Sequence, residues 1–198
     1  MKFSKTIFFA TAMSLIVFSA SAAVTFDPTG KSPYDGLSII QENLTDLDNG
    51  FLTEITLTAG GGTFNSNAGD FGIGDDEING TSESITITFS TDIFFNYIDL
   101  GGVGSSDGTD SASFTIGGST TILQTGATDF DGGSDIYTPS SPIFLAQGDS
   151  ILLTGSTATS SYDLEAINVT VTPEPNAYAL LSGICALAFV MLRRRSVK

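Results

Sequence analysis

Between residues 24 and 172 this chain of 198 residues switches repeatedly between apolar and polar side chains in short runs bounded by turn signals. A period of two sends successive side chains to opposite faces of a strand, so each such run reads as a half-buried strand rather than a helix. The run from Leu37 to Leu44 and that from Phe51 to Thr58 flank Asp48-Asn49-Gly50, and Asn-Gly is a strong hairpin turn signal because both residues tolerate positive φ. In the second arm Ile55 and Leu57 face one way, Thr56 and Thr58 the other. After Asn79-Gly80, Ile85, Ile87 and Phe89 are expected in the core with Thr86 and Thr88 toward water. Residues 93–100 are apolar on both faces and predict a central strand; 111–116, 120–123, 142–146 and 150–155 predict further short ones. In the last strand Tyr162 and Leu164 occupy even positions but Ile167, Val169 and Val171 odd ones. The phase slip near Glu165-Ala166 predicts a β-bulge, since one extra residue restores the buried face. The intervening Gly-rich stretches 59–77, 101–110 and 128–135 are expected to be loops. With no convincing amphipathic helix in this region, the pattern predicts an all-β body, a β-sandwich of jelly-roll type.

About 150 residues make one domain and allow a real core. Lys31 is the only basic residue of 24–172, against 21 of the chain's 22 acidic ones, so this region carries a net charge of −20. Such a surface repels nucleic acid. The chain has no His, no Trp, and a single Cys, Cys185, outside the body. Ser–His and Cys–His catalysis, Cys/His zinc sites and disulfides are therefore excluded, and the Gly runs lack the lysine and following helix of a phosphate-binding loop. Paired carboxylates leave a glycosidase as one alternative. Ca²⁺ is a better match, because it takes six to eight oxygens from carboxylates, carbonyls and water. The candidate ligands are Asp129, Asp131 and Asp135 in one Gly-rich stretch and Asp75, Asp76 and Glu77 in another, with Asp107 and Asp110 a weaker pair. All could equally be solvated turn residues, since Asp favours turns for its own reasons. A calcium-dependent carbohydrate-binding module is the other alternative, with Tyr34, Tyr97, Tyr137 and Tyr162 as the aromatics of a sugar site.

Both ends of the chain are apolar. Lys2 and Lys5 precede an apolar stretch from Ile7 to Phe18 and the small residues Ser19-Ala20-Ser21-Ala22-Ala23. This is the layout of a secretory signal peptide over residues 1–23, cleaved after Ala22 or Ala23. At the other end Ala177–Leu192 is an uncharged run followed at once by Arg193, Arg194 and Arg195. As a helix it would rise about 24 Å, close to the roughly 30 Å of a bilayer core. Basic residues beside a span stay on the cytoplasmic side, which predicts a stop-transfer anchor and an exported body. Between body and span lies Pro173-Glu174-Pro175. Prolines fix φ and remove amide donors, so this tripeptide is a stiff, extended recognition segment.

Residues 172–198, with Thr-Pro-Glu-Pro-Asn-Ala-Tyr, the apolar stretch and the terminal Arg-Arg-Arg in that order, resemble a PEP-CTERM sorting signal. The departures are Asn176, where Ser is more usual, and Cys185 within the apolar run. The resemblance implies a Gram-negative bacterium that makes exopolysaccharide, and an exosortase that processes the tail near Pro173-Glu174-Pro175. It also implies transient anchoring in the inner membrane and a final place at the cell surface or in the extracellular polysaccharide matrix. "GIGDDEINGTSESITITF", "FLAQGDSILLTG" and the Tyr-Asp-Leu strand also look like the extracellular β-domains common in PEP-CTERM proteins. The expected protein is then a signal peptide (1–23), an extracellular β-sandwich (24–172) and a sorting signal (173–198). Its expected role is that of a non-enzymatic structural or interaction module.

Overall fold

The computed structural model describes residues 22–45, 52–66, 70–75, 77–103, 111–116, 118–124, 136–172, 183–189 and 191–192. The described body is all-β. In chain order the strands are β1 (Ala22–Phe26), β2 (Ile39–Thr45), β3 (Leu52–Gly60), β4 (Phe64–Ser66), β5 (Phe71–Ile73), β6 (Ser84–Phe89), β7 (Ile93–Gly101), β8 (Ser111–Ile116), β9 (Ser119–Gln124), β10 (Ile136–Tyr137), β11 (Ile143–Leu145), β12 (Ser150–Gly155) and β13 (Asp163–Val171). One sheet runs β1-β13-β7-β10, with β11 also on β7; a second runs β2-β3-β6-β12-β8-β9; β4 and β5 form a separate hairpin. Every pairing is antiparallel. The chain passes between the two large sheets at β1→β2, β6→β7, β7→β8, β9→β10, β11→β12 and β12→β13, and leaves the second for the β4–β5 hairpin between β3 and β6.

The alternation decides which side chains meet. In β6 Ile85, Ile87 and Phe89 are buried and Thr86 and Thr88 half-buried; Ile55 and Leu57 of β3 and Ile151 and Leu153 of β12 bury the same face on either side. Threonine on the outer positions suits a pleated surface, where its branched Cβ packs against cross-strand neighbours. The inward faces of both sheets belong to one hydrophobic cluster, with Phe26, Phe95, Ile98 and Ile167 of the first sheet joining Ile87, Phe114 and Leu153 of the second. Burying each large aliphatic or aromatic side chain stabilises the fold by about 1.5–3 kcal/mol.

β2 and β3 pair from Ile39↔Thr58 to Thr45↔Leu52, as an Asn49-Gly50 hairpin requires, although residues 46–51 lie outside the described residues. The bulge expected at Glu165-Ala166 is present, because Leu164 opposes Leu100 and Ala166 opposes Asp99. A second irregularity was not expected. Asn168 opposes Tyr97 and Val169 opposes Phe95, leaving Asn96 as the extra residue on β7.

The stretch 59–77, expected as a loop, contains the end of β3 and the β4–β5 hairpin. Its strands are three residues long, too short for a period to register among glycines. Their value lies in Phe64 and Phe71, which stack at 5.1 Å between centroids and are buried with Ile73. β1 begins at Ala22 and pairs with the final strand from Ala22↔Val171 to Phe26↔Ile167, so it takes in the last two residues of the expected signal peptide.

The membrane-spanning helix expected at 177–192 is not found: among the described residues no helix is long and apolar enough to cross a membrane. The described helical residues are 183–189 and 191–192. Residues 177–182 and 190 of the expected span lie outside the described residues. Ile184, Leu187, Phe189, Met191 and Leu192 are exposed, and the core cluster includes none of them.

Candidate functional site

The head of β13 is an acidic corner built from three segments. The segment 77–80 is clamped to 160–162 by backbone hydrogen bonds, Ile78 N–H to Tyr162 O at 2.6 Å and Gly80 N–H to Ser160 O at 2.8 Å. Before it, Ile73 N–H donates to Glu77 O at 2.7 Å and closes the turn after β5. Asn79 stiffens that turn, its side-chain amide donating to Asp75 Oδ1 at 2.7 Å and its N–H to Glu83 Oε2 at 2.7 Å. Glu77 accepts a hydrogen bond from Ser161 Oγ. On the far side Asp163 pairs in register with Gly101 at the end of β7. A methyl group at Gly101 would stand only 2.7 Å from both Cγ and Oδ2 of Asp163. Glycine there leaves the carboxylate the room above the neighbouring strand.

Asp163 is 5% exposed, and among the described residues its Oδ2 has no hydrogen-bond partner. Burial pushes its carboxyl up to about 7; the charges of Asp70, Glu165 and Glu77 add to this, and a hydrogen bond with its own backbone opposes it. No basic side chain of the body can compensate. Lys31, the only one, lies 3.1 Å from Glu42 Oε1 and sits over the rings of Phe26 and Tyr34 at 5.1 and 5.4 Å. Tyr34 Oη also bonds Glu42. Among the described residues no three Asp or Glu side chains already converge on one point. An ion at the corner would therefore complete its shell with backbone oxygens and water, as Ca²⁺ commonly does.

Of the sequence-derived ligands, Glu77 stands at this corner, while Asp75 is engaged by Asn79 in the turn beside it. Asp76, Asp129, Asp131 and Asp135 lie outside the described residues, as do Asp107 and Asp110, Pro173, Glu174 and Pro175, and Arg193, Arg194 and Arg195. Sequence reasoning missed Asp163 and Asp70. Alternation draws the eye to Tyr162 and Leu164 and passes over the residue between them, whereas Tyr162, Asp163 and Leu164 are all buried in succession. The available signal was position: Asp163 immediately precedes the phase slip, where alternation stops predicting faces.

The four tyrosines are spread over several elements, with Tyr97 half-buried on β7 opposite Asn168. Tyr162 is buried, Tyr34 packs edge-on against Phe71, and Tyr137 packs against Phe114. Among the described residues of the body, the exposed aromatics are Phe94 and Phe144, edge-to-face at 5.5 Å on β7 and β11. Beside them the Asn96 amide donates to Asn168 Oδ1 at 2.7 Å and Thr170 Oγ1 at 2.8 Å, and Asn168 donates to Thr25 Oγ1 at 2.7 Å. This outer face thus joins an apolar pair to an amide–hydroxyl network.

No protein-family model matches this chain, and no curated protein sequence does.

Proposed function

We propose that this protein is an exported, non-enzymatic β-sandwich of jelly-roll-like topology. It is carried out by the N-terminal signal peptide, held by the C-terminal tail, and processed by an exosortase near Glu174. It then acts as an acidic, hydrated module at the cell surface or in an exopolysaccharide matrix. The repeated passage of the chain between two sheets that share one core supports the sandwich. One observation carries the sorting reading. The core closes at Val171, with β13 covered by β1 on one side and β7 on the other. Ile184, Leu187, Phe189, Met191 and Leu192 stay outside it. A tail that the fold does not need is a tail that can be removed. Cleavage after Ala22 or Ala23 leaves Val24 and Phe26 to pair with Val169 and Ile167.

The test is the intact mass of the protein recovered from medium and cell surface. The reading expects a loss at both termini, with the C-terminal cut near Pro173-Glu174-Pro175. A mature protein retaining residues 173–198 in cells with an active exosortase overturns it.

A second reading, glycan binding, is favoured by the Phe94–Phe144 pair beside Asn96, Asn168 and Thr170. Flat aromatic faces next to amides and hydroxyls suit the apolar and polar sides of a sugar ring. Calorimetry with a glycan panel separates this reading from the first: no heat with any glycan disposes of it.

A further inference from the structure

We propose that the acidic corner at the head of β13 binds a divalent cation, Ca²⁺, with Asp163 as the innermost ligand and Asp70 and Glu77 flanking it.

The carrying observation is the buried Oδ2 of Asp163, unpartnered among the described residues. An isolated carboxylate taken out of water costs several kcal/mol unless it is neutralised or paired. Other described acids bond backbone amides or side-chain donors, as Asp27 caps Thr29 N–H at 2.9 Å and Asp149 accepts from Ala146 N–H at 2.9 Å, and Asp99, whose carboxyl burial also raises, is only half-buried. Asp163 is the acid that is both enclosed and left with an open lone pair.

The surroundings decide what can fill that position. A lysine or arginine is excluded, since Lys31 is held by Glu42 and no other basic residue exists between 24 and 172. Anionic or neutral ligands would meet further negative charge from Asp70 and Glu77. A proton is the competitor, and it satisfies only Asp163. A divalent cation also relieves the repulsion between Asp163 and its acidic neighbours. Ca²⁺ fits better than Mg²⁺ because backbone carbonyls and water would have to supply most of the shell around Asp163: Ca²⁺ accepts irregular shells of carboxylate, carbonyl and water, whereas Mg²⁺ demands a near-ideal octahedron. The corner has carbonyl-bearing backbone close by, where Gly101–Val103 leaves β7 and where 77–80 crosses 160–162. The proposal does not depend on how the chain is sorted, and its failure would leave that reading untouched.

The test uses the purified full-length chain at pH 7.5, melted in EDTA, in about 10 mM CaCl₂, in equal MgCl₂, and in NaCl of matched ionic strength. The NaCl arm removes the general screening of a −20 body. Extracellular-type sites with affinities of about 10⁻⁴–10⁻³ M give a rise of roughly 3–10 °C in Ca²⁺ over the NaCl arm, and a smaller rise in Mg²⁺. Asp163→Asn is expected to lose that increment yet to melt higher than the parent in EDTA, because it no longer buries an uncompensated charge. Glu77→Gln, on an exposed turn, is expected to fold normally and to need at least about threefold more Ca²⁺ for half of the shift. If Asp163→Asn does not fold, the Glu77→Gln titration decides: an unchanged midpoint overturns the proposal. So does a parent chain with no calcium increment, or an Asp163→Asn protein that keeps it, which would place the ion at another acidic stretch such as 129–135.

Discussion

Tyr162 and Asp163 are neighbours in sequence, and each buries an oxygen without a hydrogen-bond partner among the described residues. They differ in what can be done about it. A phenol hydroxyl stays neutral; burial merely pushes its pKa up. Removing it takes away an unmade hydrogen bond and leaves the ring packed, so Tyr162→Phe should melt at the same temperature or up to about 4 °C higher, a gain of about 1 kcal/mol at most. A clear drop in a thermal melt would show that the hydroxyl has a partner. Asp163 can change charge. Its folded carboxyl titrates at about 7 against an ordinary 3.8, so the folded state holds a proton that the unfolded chain releases. The stability this contributes is complete below about pH 4, declines as the pH rises toward 7, and is gone above it. In EDTA, the parent should therefore lose stability relative to Asp163→Asn between pH 4 and 7, and the gap should be constant above that. Urea midpoints across this range measure it, and parallel curves would refute it.

The strands β7 and β13 show why pairing, not each strand alone, sets the faces. β7 buries Ile93 and Phe95, then Ile98 and Leu100; β13 buries Leu164, then Ile167, Val169 and Val171. Each carries one irregularity, at Asn96 and at Glu165, and each irregularity switches the buried phase from odd to even or the reverse. Both slips stand in the sequence, but only the one in β13 was legible, because residues 93–100 are apolar on both faces and hide it. The Asn96 amide, released from strict pairing, ties the outer face together through Asn168 and Thr170. Turns are tuned as closely. Gly80 has φ of 59°, and a methyl there would stand 2.9 Å from Ala158 O. Its carbonyl accepts from Gly155 N–H at 2.9 Å, joining the turn before β6 to the end of β12. Gly80→Ala should cost about 1–3 kcal/mol from left-handed strain and crowding, a fall of roughly 3–10 °C. An unchanged melting temperature would mean the turn rearranges freely.

The described body gathers its buried apolar side chains into one core to which β1, β13 and β7 contribute, and carries its acids on strands as well as turns. The described tail residues 183–189 and 191–192 are not part of that core. A chain ended after Thr172 should melt within about 2 °C of the full-length protein, since changes away from packed features usually stay within about 0.5 kcal/mol. A large loss would show that residues 173–198 support the body. Thr172 itself still belongs to it, donating through N–H and Oγ1 to Asp92 O at 3.1 and 2.8 Å.

The sequence by itself determined that the body is built of strands, where most of them run, and that its surface is acidic without histidine, tryptophan or disulfides to work with. Those properties follow from local spacing and composition, which act on neighbouring residues. Only the tertiary structure decided which acid matters. Asp163 is one of 21 acidic residues in the body and has no motif around it. It becomes exceptional because β7 presents Gly101 beneath it, the 77–80 turn brings Glu77 to its side, and β5 brings Asp70. Burial and electrostatic neighbourhood depend on contacts between segments far apart in the chain, and no reading along the chain can supply them.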